Sequence, residues 1–132
     1  MNRITTLAAI FAALVFYGAR AEPSDTVSPR AVQLDDDRFV VLDVRTADEY
    51  RAGHIPGAMN VDVTDAGFSA GVSNLDRTKT YVVHCGANVP NGRAAKAMEL
   101  MRDVGFEQLL SMEGGVAGWT RAGRELNVPK GG

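Results

Sequence analysis

Residues 81–105 read YVVHCGANVPNGRAAKAMELMRDVG. Tyr81-Val82-Val83-His84 is a short, apolar, β-branched run, the composition expected of a strand covered on both faces within a parallel sheet. From Ala94 the period changes. Ala94, Ala97, Met98 and Met101 stand at i, i+3, i+4 and i+7, the stripe of a core-facing helix, and Gly105 closes the pattern. Between strand and helix runs Cys85-Gly86-Ala87-Asn88-Val89-Pro90-Asn91-Gly92, a loop of mostly small and turn-forming residues, with Arg93 at the helix entrance. Ligands of open parallel sheets bind beyond the carboxyl ends of the strands, which is where this pattern puts Cys85.

Working outward, Phe39-Val40-Val41-Leu42-Asp43-Val44 repeats the buried-strand pattern, and Gln108-Leu109-Leu110 is a weaker third run. Thr46 to Arg51 reads as a helix. Strands alternating with helices predict an α/β domain with a mainly parallel sheet flanked by helices. Further upstream, Glu22 to Thr26 read as a polar leader. Ser28-Pro29 then supplies a capping serine and a first-turn proline for a short helix reaching about Leu34. Asp35-Asp36-Asp37 reads as a solvated turn, as charge runs usually do, and is assigned no function.

At the amino terminus, Arg3 precedes an uncharged stretch from Ile4 to Ala19, followed by Ala19-Arg20-Ala21 as a small-x-small site. Residues 1–21 are therefore expected to be a signal peptide cleaved after Ala21, the apolar run being short for a membrane span and diluted by Thr5, Thr6 and Gly18. Residues 22–132 are expected to form one domain. The expected product is exported, to the periplasm in a Gram-negative source, without stable membrane association after cleavage. The chain has 14 basic and 16 acidic residues; removing Arg3 and Arg20 leaves 12 − 16 = −4. A mildly acidic domain with no basic run argues against nucleic acid as a partner. One cysteine excludes an internal disulfide, and a lone thiol in an oxidising compartment invites a chemical role, with a buried small hydrophobe as the alternative.

Position favours chemistry. The loop after Cys85 can turn backbone N–H groups inward, and with the positive end of the following helix these make an anion cradle that also stabilises a thiolate. Gly86, Ala87, Asn88, Val89, Asn91 and Gly92 are its expected substrate-binding residues, with Arg93 adding a fixed positive charge toward an oxyanion. Pro90 contributes no N–H. His84, one residue from Cys85 on a strand, is expected to face the opposite way and to pack or hydrogen-bond. His54 lies in a turn and reads as structural. Two histidines and one cysteine assemble no common zinc site, and no cofactor is expected.

Three segments together resemble the rhodanese homology domain. Asp43-Val44-Arg45 followed by Glu49-Tyr50 and Gly53-His54-Ile55-Pro56-Gly57-Ala58 resembles its first signature; Glu113-Gly114-Gly115-Val116-Ala117-Gly118-Trp119 resembles its closing element; and Cys85 sits where the family places its catalytic cysteine. The resemblance covers about Ser28 to Leu126 and implies a sulfurtransferase, in which Cys85 takes the outer sulfur of a donor such as thiosulfate as a persulfide and passes it to a thiophilic acceptor. The implied partners are a small sulfur-containing anion, a thiol acceptor, or a protein that donates or accepts sulfur. It casts Asp43, Arg45, Glu49 and His54 as scaffold and Trp119 as a residue closing the core. Four residues separate cysteine from arginine in ordinary rhodaneses and five in phosphatases on the same fold, whereas Gly86 to Gly92 make seven here. A wider loop admits a larger donor, holds a protein-borne persulfide, or fails to gather its N–H groups on one anion. The alternatives are a non-catalytic binding or stress-associated module and a cysteine-dependent phosphatase or arsenate reductase, the last opposed by the loop spacing and by the lack of an acid between Cys85 and Met98.

Overall fold

The computed structural model describes residues 25–130, so the expected signal peptide lies outside the described residues. The apolar runs become the strands β2 (Phe39–Asp43), β4 (Thr80–His84) and β5 (Leu109–Met112), joined by two short edge strands, β1 (Thr26–Val27) and β3 (Met59–Asn60). They form one sheet in the order β1-β5-β4-β2-β3 with every pairing parallel. The helices are α1 (Ala47–Ala52), α2 (Phe68–Ser73), α3 (Arg93–Asp103) and α4 (Gly115–Arg121).

Strand alternation divides the core in two. Leu42, Val44, Val83 and Cys85 join Phe68 and Val72 of α2 and Ala94, Ala97, Met98 and Met101 of α3 on one face. Val41 and Val82 join Ile55, Met112 and Trp119 of α4 on the other. The α3 stripe is thus the one its spacing predicts, and Trp119, 1 % exposed, closes the second face with its indole N–H donated to Glu125 O. Register places Asp43 beside His84, and Val83 beside Ser111, at the carboxyl edge of the sheet.

Several expectations need correction. Thr26 belongs to the edge strand β1, whose partner Ser111 anchors it, and not to a polar leader. The helix expected from Pro29 to Leu34 is a single 3-10 turn, Pro29–Ala31, and Ser28 makes no side-chain cap. The Pro29 carbonyl that would propagate it accepts instead from Val32 N–H and from Arg124, which also donates to Val32 O. The third strand extends past Leu110 to Met112. Asp36 pairs with its neighbour Arg38 in an exposed turn, which is why its carboxyl is held down at about 2.

Candidate active site around Cys85

Cys85 follows the last residue of β4, packed on the α3 side of the sheet and 5 % exposed. Three separate clamps hold the loop that starts there. The first is the Asn88 side chain, whose Oδ1 accepts the Cys85 N–H at 2.7 Å while its Nδ2 donates to Val83 O at 3.1 Å and to Ser111 Oγ at 2.8 Å. Asn88 adopts φ 50° and Asn91 φ 60°, the left-handed region that asparagine tolerates better than most residues.

The second clamp is the start of α4. Val116 N–H donates to Cys85 O and Ala117 N–H to Gly86 O, each at 3.0 Å, so the helix entrance satisfies two loop carbonyls. Gly115 makes this approach possible: a Cβ there would lie 2.6 Å from Cys85 O, 2.8 Å from Ala87 N and 2.9 Å from Asn88 Oδ1. The third clamp closes the loop's far end. Arg93 donates to both Glu49 carboxylate oxygens, at 2.6 and 3.0 Å. Glu49 in turn completes a capping box with Thr46 at the start of α1. Chiefly the Arg93 bond, with Thr46 assisting, holds the Glu49 carboxyl down at about 2. Arg93 therefore does not stand free as a cation: it is fixed by Glu49, with Nη2 beside Gly86, 3.6 Å from where a Cβ would be.

The cradle differs in detail from the sequence expectation. Gly92 N–H is spent on Val89 O, so Gly92 contributes no free donor. Among the described residues, the N–H groups of Gly86, Ala87, Asn88, Val89 and Asn91 find no acceptor within the protein, leaving them for solvent or an anion.

Beneath the loop, Asp43 and Arg45 form a buried bidentate pair, and Arg45 reaches on to Gly53 O. Asn60 donates to Asp43 O and Arg45 O, tying β3 into the same brace. His84 packs as expected, on the face away from Cys85. Its Nδ1 lies 3.1 Å from the Cys85 carbonyl, which can only accept, so Nδ1 carries the proton. His84 Nε2 has no partner, Asp43 Oδ2 being 3.8 Å away. Burial pushes this imidazole below its ordinary value, with Asp43 opposing the shift. The contact is accordingly one between a carboxylate and a neutral ring. His54 stacks on Tyr50 and bonds Tyr50 O through Nδ1, a structural place.

The stretch that carries this geometry matches a known family model. The model of the rhodanese-like domain covers residues 31–122. The chain belongs to the rhodanese-like domain family. Thiosulfate sulfurtransferase GlpE of Shewanella oneidensis is 27% identical over 92 residues, 69% of this chain and 86% of that protein. The probable adenylyltransferase/sulfurtransferase MoeZ of Mycobacterium tuberculosis is 28% identical over 106 residues, 78% of this chain; the match spans only 26% of MoeZ. Among solved structures, a rhodanese-related protein from Thermoplasma volcanium superposes with a TM-score of 0.65 at 24% identity, over 79% of this chain and 98% of that one, which shows the shared fold.

Sequence reasoning did not find the Asn88 side chain, Ser111 or the Glu49–Arg93 link. Gly114-Gly115 was the available signal for the α4 approach, since paired glycines at a strand-to-helix junction mark close backbone contact.

Proposed function

We propose that this rhodanese-like domain is a sulfurtransferase that carries sulfur on Cys85. The observation that supports it most is the placement of Cys85 at the head of a loop whose first two carbonyls are tied down by α4 and whose start is anchored by the Asn88 amide oxygen on the Cys85 N–H, while the N–H groups of Gly86, Ala87, Asn88, Val89 and Asn91 stay uncommitted. Donors held in place and left without an acceptor stabilise an anion with little reorganisation, which suits thiosulfate, the thiolate and the persulfide alike. Arg93 closes the rim.

In the first half-reaction, the Cys85 thiolate attacks the outer sulfur of thiosulfate. The Cys85 S–S bond forms, the thiosulfate S–S bond breaks, and sulfite leaves with the electron pair. In the second, a thiophilic acceptor attacks the outer persulfide sulfur, and Cys85 departs as a thiolate. No external oxidant or reductant is consumed.

The test is the intact mass of the protein after incubation with thiosulfate. A gain of one sulfur atom, removed by cyanide and absent from Cys85→Ser, is expected. No gain with thiosulfate or with organic persulfide donors would overturn the proposal in favour of a non-catalytic module, the reading that the near-complete burial of Cys85 favours.

A further inference from the structure

Six asparagines occur in the chain, and Asn91 alone precedes a glycine; Asn2, Asn60, Asn74, Asn88 and Asn127 precede Arg3, Val61, Leu75, Val89 and Val128. The distinction is chemical. An asparagine loses its side-chain amide when the backbone nitrogen of the next residue attacks its Cγ, and a side chain on that next residue stands in the way. Glycine has none and gives the backbone its widest freedom. Asn91 is exposed. Gly92 is extended, with φ −84° and ψ −167°, so the reacting peptide lies outside α3. The Gly92 N–H is held by one turn bond, to Val89 O at 3.1 Å, and the helix does not depend on it: Lys96 N–H donates to Gly92 O, at the other end of the residue. Releasing the Gly92 N–H opens a turn in an exposed loop and leaves α3 standing.

Asn88 supplies the contrast within the same loop. It shares the left-handed backbone, φ 50° against 60° for Asn91. Its amide is committed to Cys85 N–H, Val83 O and Ser111 Oγ, and the β-branched Val89 follows it. None of these three bonds reaches Asn91.

The surroundings decide what a carboxylate does at position 91. Helix α3 has no side-chain cap at Gly92 and no acidic residue in its first turn, so its positive end carries no counter-charge there. Arg93 stands two residues on, and the Asn91 N–H is one of the uncommitted donors of the cradle. A negative charge on residue 91 is therefore stabilised by the field that favours a bound anion, and it repels that anion.

We propose that Asn91 is a deamidation site whose conversion to a carboxylate weakens the use of anionic sulfur donors. The modification stands by itself, whereas its effect on donors rests on the sulfurtransferase reading above. The Gly92 nitrogen bonds to Asn91 Cγ and gives up its proton; the Cγ–Nδ2 bond breaks, and ammonia leaves with that proton. Water then opens the cyclic imide at either carbonyl, giving aspartate or, with the chain rerouted through Cγ, isoaspartate. No oxidant or reductant takes part.

The test is peptide mass mapping of the protein aged at mildly alkaline pH. Exchange of NH2 for OH at Asn91 is expected about ten-fold faster, or more, than at Asn60, Asn74, Asn88 or Asn127, with isoaspartate in that peptide detected by isoaspartyl methyltransferase. Conversion of Asn91 no faster than that of Asn74 overturns the site. The effect on donors is read from two variants. Asn91→Asp carries the charge without rerouting the chain, and Asn91→Gly removes the amide while accepting the left-handed backbone. The kcat/KM for thiosulfate is expected about three-fold lower in Asn91→Asp than in Asn91→Gly, through KM, with the gap closing as salt is added. Equal values, or a gap that salt does not change, overturn the inhibitory role. Were no form of the protein to take up sulfur, the sulfurtransferase reading would fall, while the mapping still decides the modification.

Discussion

Replacing Gly115 with alanine tests how tightly the cysteine loop is seated on α4. The backbone there has φ +59°, which an L side chain occupies at a cost of about 1–2 kcal/mol. The new Cβ would also stand 2.6 Å from Cys85 O, 2.8 Å from Ala87 N and 2.9 Å from Asn88 Oδ1. None of the three is the end of a flexible chain: two are backbone, and the third is held by the Cys85 N–H. Overpacking against such fixed atoms adds about 1–3 kcal/mol. The sum is about 2–5 kcal/mol, and at roughly 4–8 °C per kcal/mol for a domain of about this size, Tm falls by about 10 °C or more. Gly123→Ala is the matched control, since Gly123 has φ +79° and nothing within 4 Å of the added carbon. It carries the conformational cost alone. Thermal unfolding of both variants, paired with the rate of Cys85 alkylation, separates the two contributions. Equal Tm losses in the two variants would refute the steric argument and with it the claim that α4 fixes the loop.

Glu49→Gln should lower persulfide formation about ten-fold, equivalent to ~1.4 kcal/mol of barrier, while shifting stability by less than about 1 kcal/mol, because the Arg93 pair is one-third exposed or more on each side. Unequal effects in stopped-flow and urea unfolding check this, and equal ones would make the pair merely structural. Glu49, held at about 2 in the folded protein against 4.5 when free, contributes stability that is complete above about pH 4.5 and lost as pH falls toward 2. The stability difference between wild type and Glu49→Gln should therefore be constant from pH 7 to 5 and shrink below that. His84 acts in a different window. Burial lowers its proton affinity in the folded state, so the unfolded chain gains a proton first and stability declines as pH drops through 6.5, a slope that His84→Gln should reduce. Asp43→Asn strips the partner from buried Arg45 and should cost about 3–5 kcal/mol in denaturant unfolding.

The parts of this fold legible in the sequence are those with strong periodicity. Val41, Val82 and the α3 stripe carry a pattern because each must bury a face, and the structure places them as the pattern says. α2 and α4 carried no such signal: Gly67 caps α2 without a side-chain bond, and α4 holds Gly115 and Gly118 within its own length. Their helicity comes from tertiary contacts, which local propensity does not record. The same holds at the site. Position marked Cys85 and Arg93, whereas Glu49, the partner of Arg93, and Ser111, one of the three partners of Asn88, lie 44 and 23 residues away in the chain. Hydrogen bonds at such separations become visible only once the sheet brings β5 and α1 to the loop.

The longer loop is the feature that sets this domain apart from the ordinary rhodanese spacing, and its physical cost is small. Extending a flexible loop from four residues to seven raises the closure cost by about 0.5 kcal/mol. A single net hydrogen bond of about 1 kcal/mol offsets that, and the Asn88 amide makes three, to Cys85, Val83 and Ser111. Asn88 lies within the seven-residue loop, so the loop carries its own anchor. Between the left-handed residues Asn88 and Asn91, Val89 is 56 % exposed, and Val89 and Pro90 line a surface cavity beside α3. The extra length therefore leaves the sulfur-bearing end of the loop held by α4 and reshapes the surface alongside it. A change of loop length in this arrangement alters what approaches Cys85 before it alters how Cys85 is held.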